Sequence, residues 1–151
     1  MQVGAEAVLS ARDTYILVDC RSVEEQAVSK LDGAISQKDF DAELKEKGAA
    51  AVVGRGMVVA PYCTIGYRSG IYARQLKNDH GIDAVNQEGV LLWTHEGNGM
   101  MVDAKDGVTA TQNVHVYGQA WAYAAPGWHM ITFPKPFLKY MADTVKGWLG
   151  W

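Results

Sequence analysis

Six consecutive residues near the middle of the chain have the types and spacing for covalent chemistry. They are Cys63, Thr64, Ile65, Gly66, Tyr67 and Arg68. A short turn between a strand and a helix can point its backbone N–H groups at one place, which then prefers an anion. The positive end of a helix beginning near Ser69 and the charge of Arg68 add to that preference. Because the thiolate is the reactive form of cysteine, this pattern predicts Cys63 as a nucleophile.

The elements around this loop are predicted from their apolar patterns. Residues 15–18 and 57–60 are short apolar runs, typical of strands buried on both faces. Residues 69–78 keep helical spacing, and Gly81 is a plausible end for that helix. In a parallel sheet, sites lie beyond the carboxyl ends of the strands. We therefore expect Asp19, which follows the first run, to lie at the same edge as the loop.

The remaining predicted elements alternate in the same way. Helices are predicted over residues 4–11, from Ser22 to about Ser29 behind a capping box formed with Glu25, over 39–47 and over 89–95; a third strand is predicted over 82–85 and a loop over 49–56. This alternation predicts an α/β fold with a central, mostly parallel sheet flanked by helices.

Composition limits the classes of function. A chain of 151 residues with 48% hydrophobic and 21% charged residues is typical of one ordinary globular domain. The net charge of -3 is unlike that of nucleic-acid binders. The two cysteines, Cys20 and Cys63, do not make a disulfide framework and favour a reducing compartment such as the cytoplasm or an organelle interior. The four histidines lack metal-ligand spacing, so we predict no metal site.

Four segments resemble the rhodanese family in order and spacing. Residues 62–69 resemble its active-site loop, C-x-x-G-x-R-S/A, and residues 17–25 resemble its segment L-I/V-D-x-R-x-x-x-E. Residues 31–35 are similar to H-I-x-G-A-I/V, although Lys30 stands where histidine is usual. Residues 81–97 resemble the closing segment, with Glu88 in place of the first of two glycines. The resemblance covers about residues 4–97.

The resemblance implies a three-layer fold and a sulfurtransferase mechanism. Cys63 would accept a sulfane sulfur as a persulfide from a donor such as thiosulfate or 3-mercaptopyruvate, and pass it to a thiol or to cyanide. Glutathione and thioredoxin are candidate acceptors, and no cofactor is implied. Residues 64–69 (Thr64, Ile65, Gly66, Tyr67, Arg68 and Ser69) would bind the substrate, and Asp19 and Arg21 would be a supporting structural pair.

Loop length separates this family from its relatives. Phosphatases and arsenate reductases on the related fold have five residues between cysteine and arginine, which encloses a tetrahedral oxyanion. Here only four residues separate Cys63 from Arg68. The shorter loop resembles that of sulfurtransferases and argues against phosphatase or arsenate reductase activity.

Several alternatives stay open at this point. The chain could be a non-catalytic rhodanese-like binding module, or a persulfide carrier for a protein acceptor. Arg68 could bind the donor or only close the loop, and Tyr67 could control access or simply cover it. Cys20 could be a packed side chain or a resolving cysteine for Cys63.

The chain continues beyond the resemblance. We expect residues 1–97 to be the rhodanese domain and residues 98–151 to be an extension that packs on it. Residues 100–102 and 114–117 are predicted as a hairpin around Asp106 and Gly107. Residues 134–151 have the spacing of an amphipathic helix, whose apolar face would pack on the body or on a second copy in a homodimer. With few basic residues, this helix is a poor candidate for a membrane surface.

Overall fold

A computed structural model of the chain describes residues 1–96, 99–136, 138–139, 141–142 and 145. Its strands are β1 (Gln2–Val3), β2 (Tyr15–Asp19), β3 (Ser29–Leu31), β4 (Ile35–Ser36), β5 (Val58–Tyr62), β6 (Asn86–Gln87), β7 (Met101–Asp103), β8 (Ala110–Thr111), β9 (Asn113–His115) and β10 (His129–Ile131). Its α-helices are α1 (Ala5–Ser10), α2 (Val23–Gln26), α3 (Gln37–Lys47), α4 (Ala49–Val52), α5 (Tyr67–His80) and α6 (Val90–Trp93). None of the helices described is both long enough and apolar enough to cross a membrane.

A parallel sheet lies at the centre of the fold. Strand β2 pairs in parallel with β4 on one side and with β5 on the other. A parallel bridge between Val59 and Ala84 links β5 to the segment leading into β6, which itself pairs in parallel with β1. The prediction of an α/β fold with a mostly parallel sheet is therefore confirmed.

Helices cover both faces of this sheet. Successive side chains of a strand point to opposite faces, so Leu17 and Val18 of β2 belong to two separate apolar clusters. Val18 packs in the cluster that contains Phe40 of α3 and Leu76 of α5. Leu17 packs in the cluster that contains Trp93 of α6. Burial on both faces explains why β2 and β5 are nearly continuous apolar runs.

The helix that follows Cys63 and its loop begins earlier than predicted. Helix α5 starts at Tyr67 rather than Ser69, directly after Gly66, whose φ of 81° is left-handed. It ends at His80, and Gly81 caps it as predicted, with a φ of 63°. The earlier start brings the first free N–H groups of the helix into the loop itself.

Three local predictions are wrong. The helix that begins behind the Ser22–Glu25 capping box ends at Gln26, because residues 29–31 form β3 and pair with β7. Residues 49–52, predicted as loop, form the short helix α4. The third strand is displaced, since Ala84 makes only a bridge and the paired residues are those of β6.

The extension adds strands beside the central sheet. Strand β7 pairs in antiparallel fashion with β3 and with β8, so the partner in the predicted hairpin is residues 110–111 and not 114–117. The Asp106 carboxylate accepts the N–H groups of Val108 and Thr109 and thereby shapes the turn. Strand β9 instead pairs in parallel with β10.

The helix predicted over residues 134–151 lies largely outside the described residues. Three apolar residues of its predicted inner face are described, and they are Leu138, Met141 and Val145. Their exposed fractions are 59%, 49% and 52%, so these side chains are not buried against the rest of the chain.

Candidate active site

The cysteine loop is held in place by residues 86–90, which lie against it. Val90 donates its N–H to the Cys63 carbonyl (2.9 Å), and the Asn86 side-chain amide donates to the Gly66 carbonyl (2.9 Å). Gly89 has a φ of 110°, and a Cβ there would lie 2.6 Å from the Thr64 carbonyl oxygen. Glycine at position 89 therefore permits the close contact that fixes the loop.

The loop stabilises the anionic form of Cys63. The residue is only 1% exposed, and burial by itself raises the pKa of its thiol. The Ser69 N–H, the charge of Arg68 and the Ile65 N–H act in the opposite direction. The net result is a pKa below the ordinary value for cysteine. Cys63 therefore has the electrostatics of a reactive thiolate.

Glu25 closes the loop through Arg68. Arg68 Nη1 donates to Glu25 Oε2 (2.7 Å), and Nη2 donates to Oε1 (2.8 Å). The Thr64 hydroxyl donates to Oε1 (2.8 Å), and the Ser22 N–H donates to Oε2 (2.9 Å). Although burial raises the pKa of Glu25, the bonds and charge of Arg68 outweigh it and lower that pKa to about 2. Arg68 thus braces the loop through the Glu25 carboxylate, which is ionised at neutral pH.

The sequence-based list of site residues omits Glu25. Two signals pointed to it, because Glu25 is the acceptor of the capping box and also the last residue of the segment resembling D-x-R-x-x-x-E. Neither signal states that its carboxylate reaches Arg68, which is 43 residues away in sequence.

A second ion pair lies at the same edge of the sheet. Arg21 donates to Asp19 through Nε (2.9 Å) and Nη2 (2.6 Å), and Nη2 also donates to the Ser29 carbonyl (2.7 Å). The Tyr62 hydroxyl donates to Asp19 Oδ2 (2.6 Å). These contacts tie β2, β3 and β5 together, and neither charged group touches the Cys63 loop through a described hydrogen bond.

Comparisons with solved structures identify the fold. The chain is similar to a rhodanese-related protein from Thermoplasma volcanium, with a TM-score of 0.50 and 25% identity over 64% of this chain and 92% of that one. The fold is rhodanese-like. A protein from Bacillus halodurans has a TM-score of 0.53 and 16% identity over 68% of this chain and 77% of that one, which is a likeness of fold alone. No protein-family model and no curated protein matches the chain.

Four of the six predicted substrate-binding residues of this rhodanese-like fold divide into two groups. Thr64 and Ser69 are buried; the Thr64 hydroxyl donates to Glu25, and the Ser69 N–H stabilises the Cys63 thiolate. Ile65 and Tyr67 are 49% and 69% exposed, so they form an apolar rim around the thiol.

The extension also reaches the loop of the rhodanese-like fold. The Arg68 guanidinium lies 5.6 Å from the centre of the Tyr117 ring, in a cation–π contact. Buried His115 accepts the Tyr117 N–H at Nδ1 (3.1 Å). Sequence reasoning did not identify either residue as part of the site, because a contact spanning about fifty residues leaves no local pattern.

Cys20 lies beside the loop but differs from Cys63 in its chemistry. Its N–H donates to the Tyr62 carbonyl (2.8 Å), and its side chain belongs to the same apolar cluster as Cys63. Burial, followed by the charges of Cys63 and Asp19, raises its pKa well above the ordinary value. Both cysteines are free thiols. Within the described residues, no cluster of three potential ligands could hold a metal ion.

Proposed function

We propose that the chain is a sulfurtransferase that carries sulfane sulfur as a persulfide on Cys63. The observation that carries this proposal is a buried thiol of lowered pKa inside a four-residue loop that Arg68 and Glu25 close. The similarity to a rhodanese-related protein supports the same chemistry.

The first step is an attack by the Cys63 thiolate on the outer sulfur of the donor. With thiosulfate, the S–S bond breaks, sulfite leaves with the bonding electrons, and the transferred sulfur remains on Cys63 as a persulfide anion. The N–H groups of the loop and the N-terminal end of α5 stabilise that anion. Arg68 supports the same negative charge from the side.

The second step regenerates the enzyme. A thiolate acceptor attacks the outer sulfur, which leaves as the acceptor's persulfide, and Cys63 returns to the thiolate. Since each step exchanges one S–S bond for another, no cofactor or external oxidant is needed.

Mass spectrometry of the intact protein tests the proposal directly. After incubation with thiosulfate or an organic persulfide, the chain is expected to gain one sulfur atom, which cyanide or glutathione removes. Cys63→Ala should abolish the gain, whereas the matched variant Cys20→Ala should retain it. An unchanged mass with every donor would instead support the non-catalytic binding module.

A protein acceptor is a second candidate, favoured by the apolar rim. Ile65 and Tyr67 are exposed next to the thiol, where a small acceptor needs no such surface. This proposal predicts that Tyr67→Ser slows sulfur transfer to reduced thioredoxin more than transfer to cyanide. Equal slowing of both reactions would count against a protein acceptor.

We also propose that the extension and the rhodanese-like part form one domain. Strand β7 pairs with β3, and the Ser29 hydroxyl donates to the Asn113 carbonyl (2.6 Å). A truncation after residue 97 is accordingly expected to lose cooperative unfolding.

A further inference from the structure

The aromatic cover on Arg68 is built into the fold. The Tyr117 ring meets Trp121 and Phe133 edge to face, with centroid distances of 5.6 Å and 5.1 Å. Tyr117 has a φ of 65°, a left-handed conformation that is uncommon for a bulky residue and persists only where surroundings fix it. Its N–H is bonded to His115, and its carbonyl accepts the Phe133 N–H (3.0 Å). The ring is thus held over the guanidinium by contacts on several sides.

The two arginines described near the thiol are each paired with a carboxylate. Both terminal nitrogens of Arg68 donate to Glu25, which stays ionised, so this pair is neutral. Arg21 is likewise neutralised by Asp19. The loop positions 64, 65 and 67 carry no cation. A donor therefore meets the Cys63 thiolate where the side-chain cation of the loop is already paired with a carboxylate.

Tyr117 covers part of the cation. Arg68 is 31% exposed in its side chain, and the aromatic ring lies against its face. The ring therefore occupies part of the space that a sulfonate would need beside the guanidinium. The exposed apolar rim of Ile65 and Tyr67 instead offers contact to an organic group.

We propose that Tyr117 is a specificity-determining residue that directs the Cys63 site toward organic hydropersulfides, R–S–SH, and away from dianionic donors such as thiosulfate. This inference rests on the proposed sulfur transfer. In the loading step, Cys63 Sγ attacks the outer sulfur of R–S–SH and the S–S bond of the donor breaks. R–S⁻ leaves with the bonding pair, and Cys63 keeps the outer sulfur with its proton.

Single-turnover loading of Cys63 with thiosulfate and with cysteine hydropersulfide, followed by intact mass, tests the proposal. Tyr117→Leu is expected to raise the ratio of thiosulfate to hydropersulfide loading constants about tenfold, because it uncovers the cation. Tyr117→Phe keeps the ring and should shift the ratio less. Tyr123→Leu, a tyrosine that is 72% exposed in the same extension, should leave the ratio unchanged. An unchanged ratio in folded Tyr117→Leu, or an equal shift in Tyr117→Phe, would overturn the inference.

Two further readouts keep the outcomes distinct. If neither donor loads wild-type Cys63, the proposed sulfur transfer fails, and the role of Tyr117 fails with it. If Tyr117→Leu does not fold, alkylation of Cys63 in the Cys20→Ala chain decides the question. There the ratio of iodoacetate to iodoacetamide rates is expected to be lower than the ratio for glutathione, since the site disfavours anions. A ratio equal to or above that of glutathione would overturn the proposal.

Discussion

Two arginine–carboxylate pairs lie at the carboxyl edge of the sheet, and they differ in what surrounds them. In the Arg21–Asp19 pair the side chains are 0% and 2% exposed, and the partners around them are Tyr62 and a backbone carbonyl. In the Arg68–Glu25 pair the carboxylate is equally buried, but the guanidinium is 31% exposed and lies beside the Cys63 thiol.

The comparison shows that the surroundings of an ion pair decide whether it stabilises the fold alone or also changes the charge at Cys63. The enclosed pair connects three strands, so its loss leaves a buried charge without a partner and weakens the fold. The Arg68–Glu25 pair connects the capping box to the cysteine loop. Its loss therefore changes both the charge near Cys63 and the conformation of the loop. Variants of the two pairs are therefore expected to fail in different measurements.

The largest effect is expected from Arg21→Met. This change leaves Asp19 buried without its cation and should lower the free energy of unfolding by about 3–5 kcal/mol. Urea unfolding followed by circular dichroism measures it. Arg74→Met, at an exposed arginine of α5, is the control and should change stability by less than about 0.5 kcal/mol. A wild-type midpoint for Arg21→Met would remove the distinction between the pairs.

Acid should remove the stability that the Arg68–Glu25 pair contributes. The pKa of Glu25 is lowered to about 2, against about 4.3 in an unfolded chain. A carboxylate with a lowered pKa stabilises the fold above the unfolded value, and that contribution is lost as the pH falls toward the folded value. The shift corresponds to about 3 kcal/mol.

The matched variants Glu25→Gln and Glu43→Gln isolate the contribution of the ionised Glu25 carboxylate to stability. Glu25→Gln should be less stable than wild type at neutral pH, and the difference should shrink between about pH 5 and pH 3. The Glu43 side chain is 44% exposed and pairs only with Lys47 among the described contacts, so its variant should follow wild type. A Glu25→Gln deficit that persists unchanged in acid would show that shape, and not charge, is what Glu25 contributes.

Among molecules that remain folded, Arg68→Met should slow sulfur loading of Cys63 more than Arg21→Met does. Loss of a positioned cation beside a developing anion is expected to slow sulfur loading about 100-fold. It should also raise the pKa of Cys63, since the charge of Arg68 helps to lower it. The pH dependence of iodoacetamide alkylation measures this, and the wild-type inflection is expected below that of an ordinary cysteine. If Arg68→Met and Arg21→Met raised the inflection equally, both pairs would act through the fold alone.

Local chemistry explains which parts of this arrangement could be predicted. The parallel sheet, the capping box and the cysteine loop depend on neighbouring residues, so apolar runs and turn residues predict them. The prediction of a helix up to Ser29 was wrong because residues 29–31 pair with strand β7 of the extension. Tertiary pairing there overrides local propensity. The contacts of Glu25 with Arg68 and of Tyr117 with Arg68 join distant parts of the chain, where no spacing rule applies.

The smallest expected effect concerns His115, which lies near both pairs. Its Nδ1 accepts the Tyr117 N–H, so that nitrogen must be unprotonated. Burial lowers its pKa; the nearby charges of Arg21 and Arg68 also lower it, while Glu25 and Glu24 oppose the shift. A histidine with a lowered pKa stabilises the fold fully above its unfolded value, near 6.5, and this contribution is lost as the pH falls below that value.

His115→Gln tests whether this link between the extension and the pairs exists. Wild type should lose about 1 kcal/mol between about pH 7.5 and pH 5.5 as the hydrogen bond to Tyr117 weakens, and His115→Gln should lack that loss. His80→Gln, at an exposed histidine, should retain it. Urea unfolding at the two pH values measures the difference. The same pH dependence in all three chains would mean that protonation of His115 is not coupled to folding, and that the cover over Arg68 is maintained by its aromatic contacts alone.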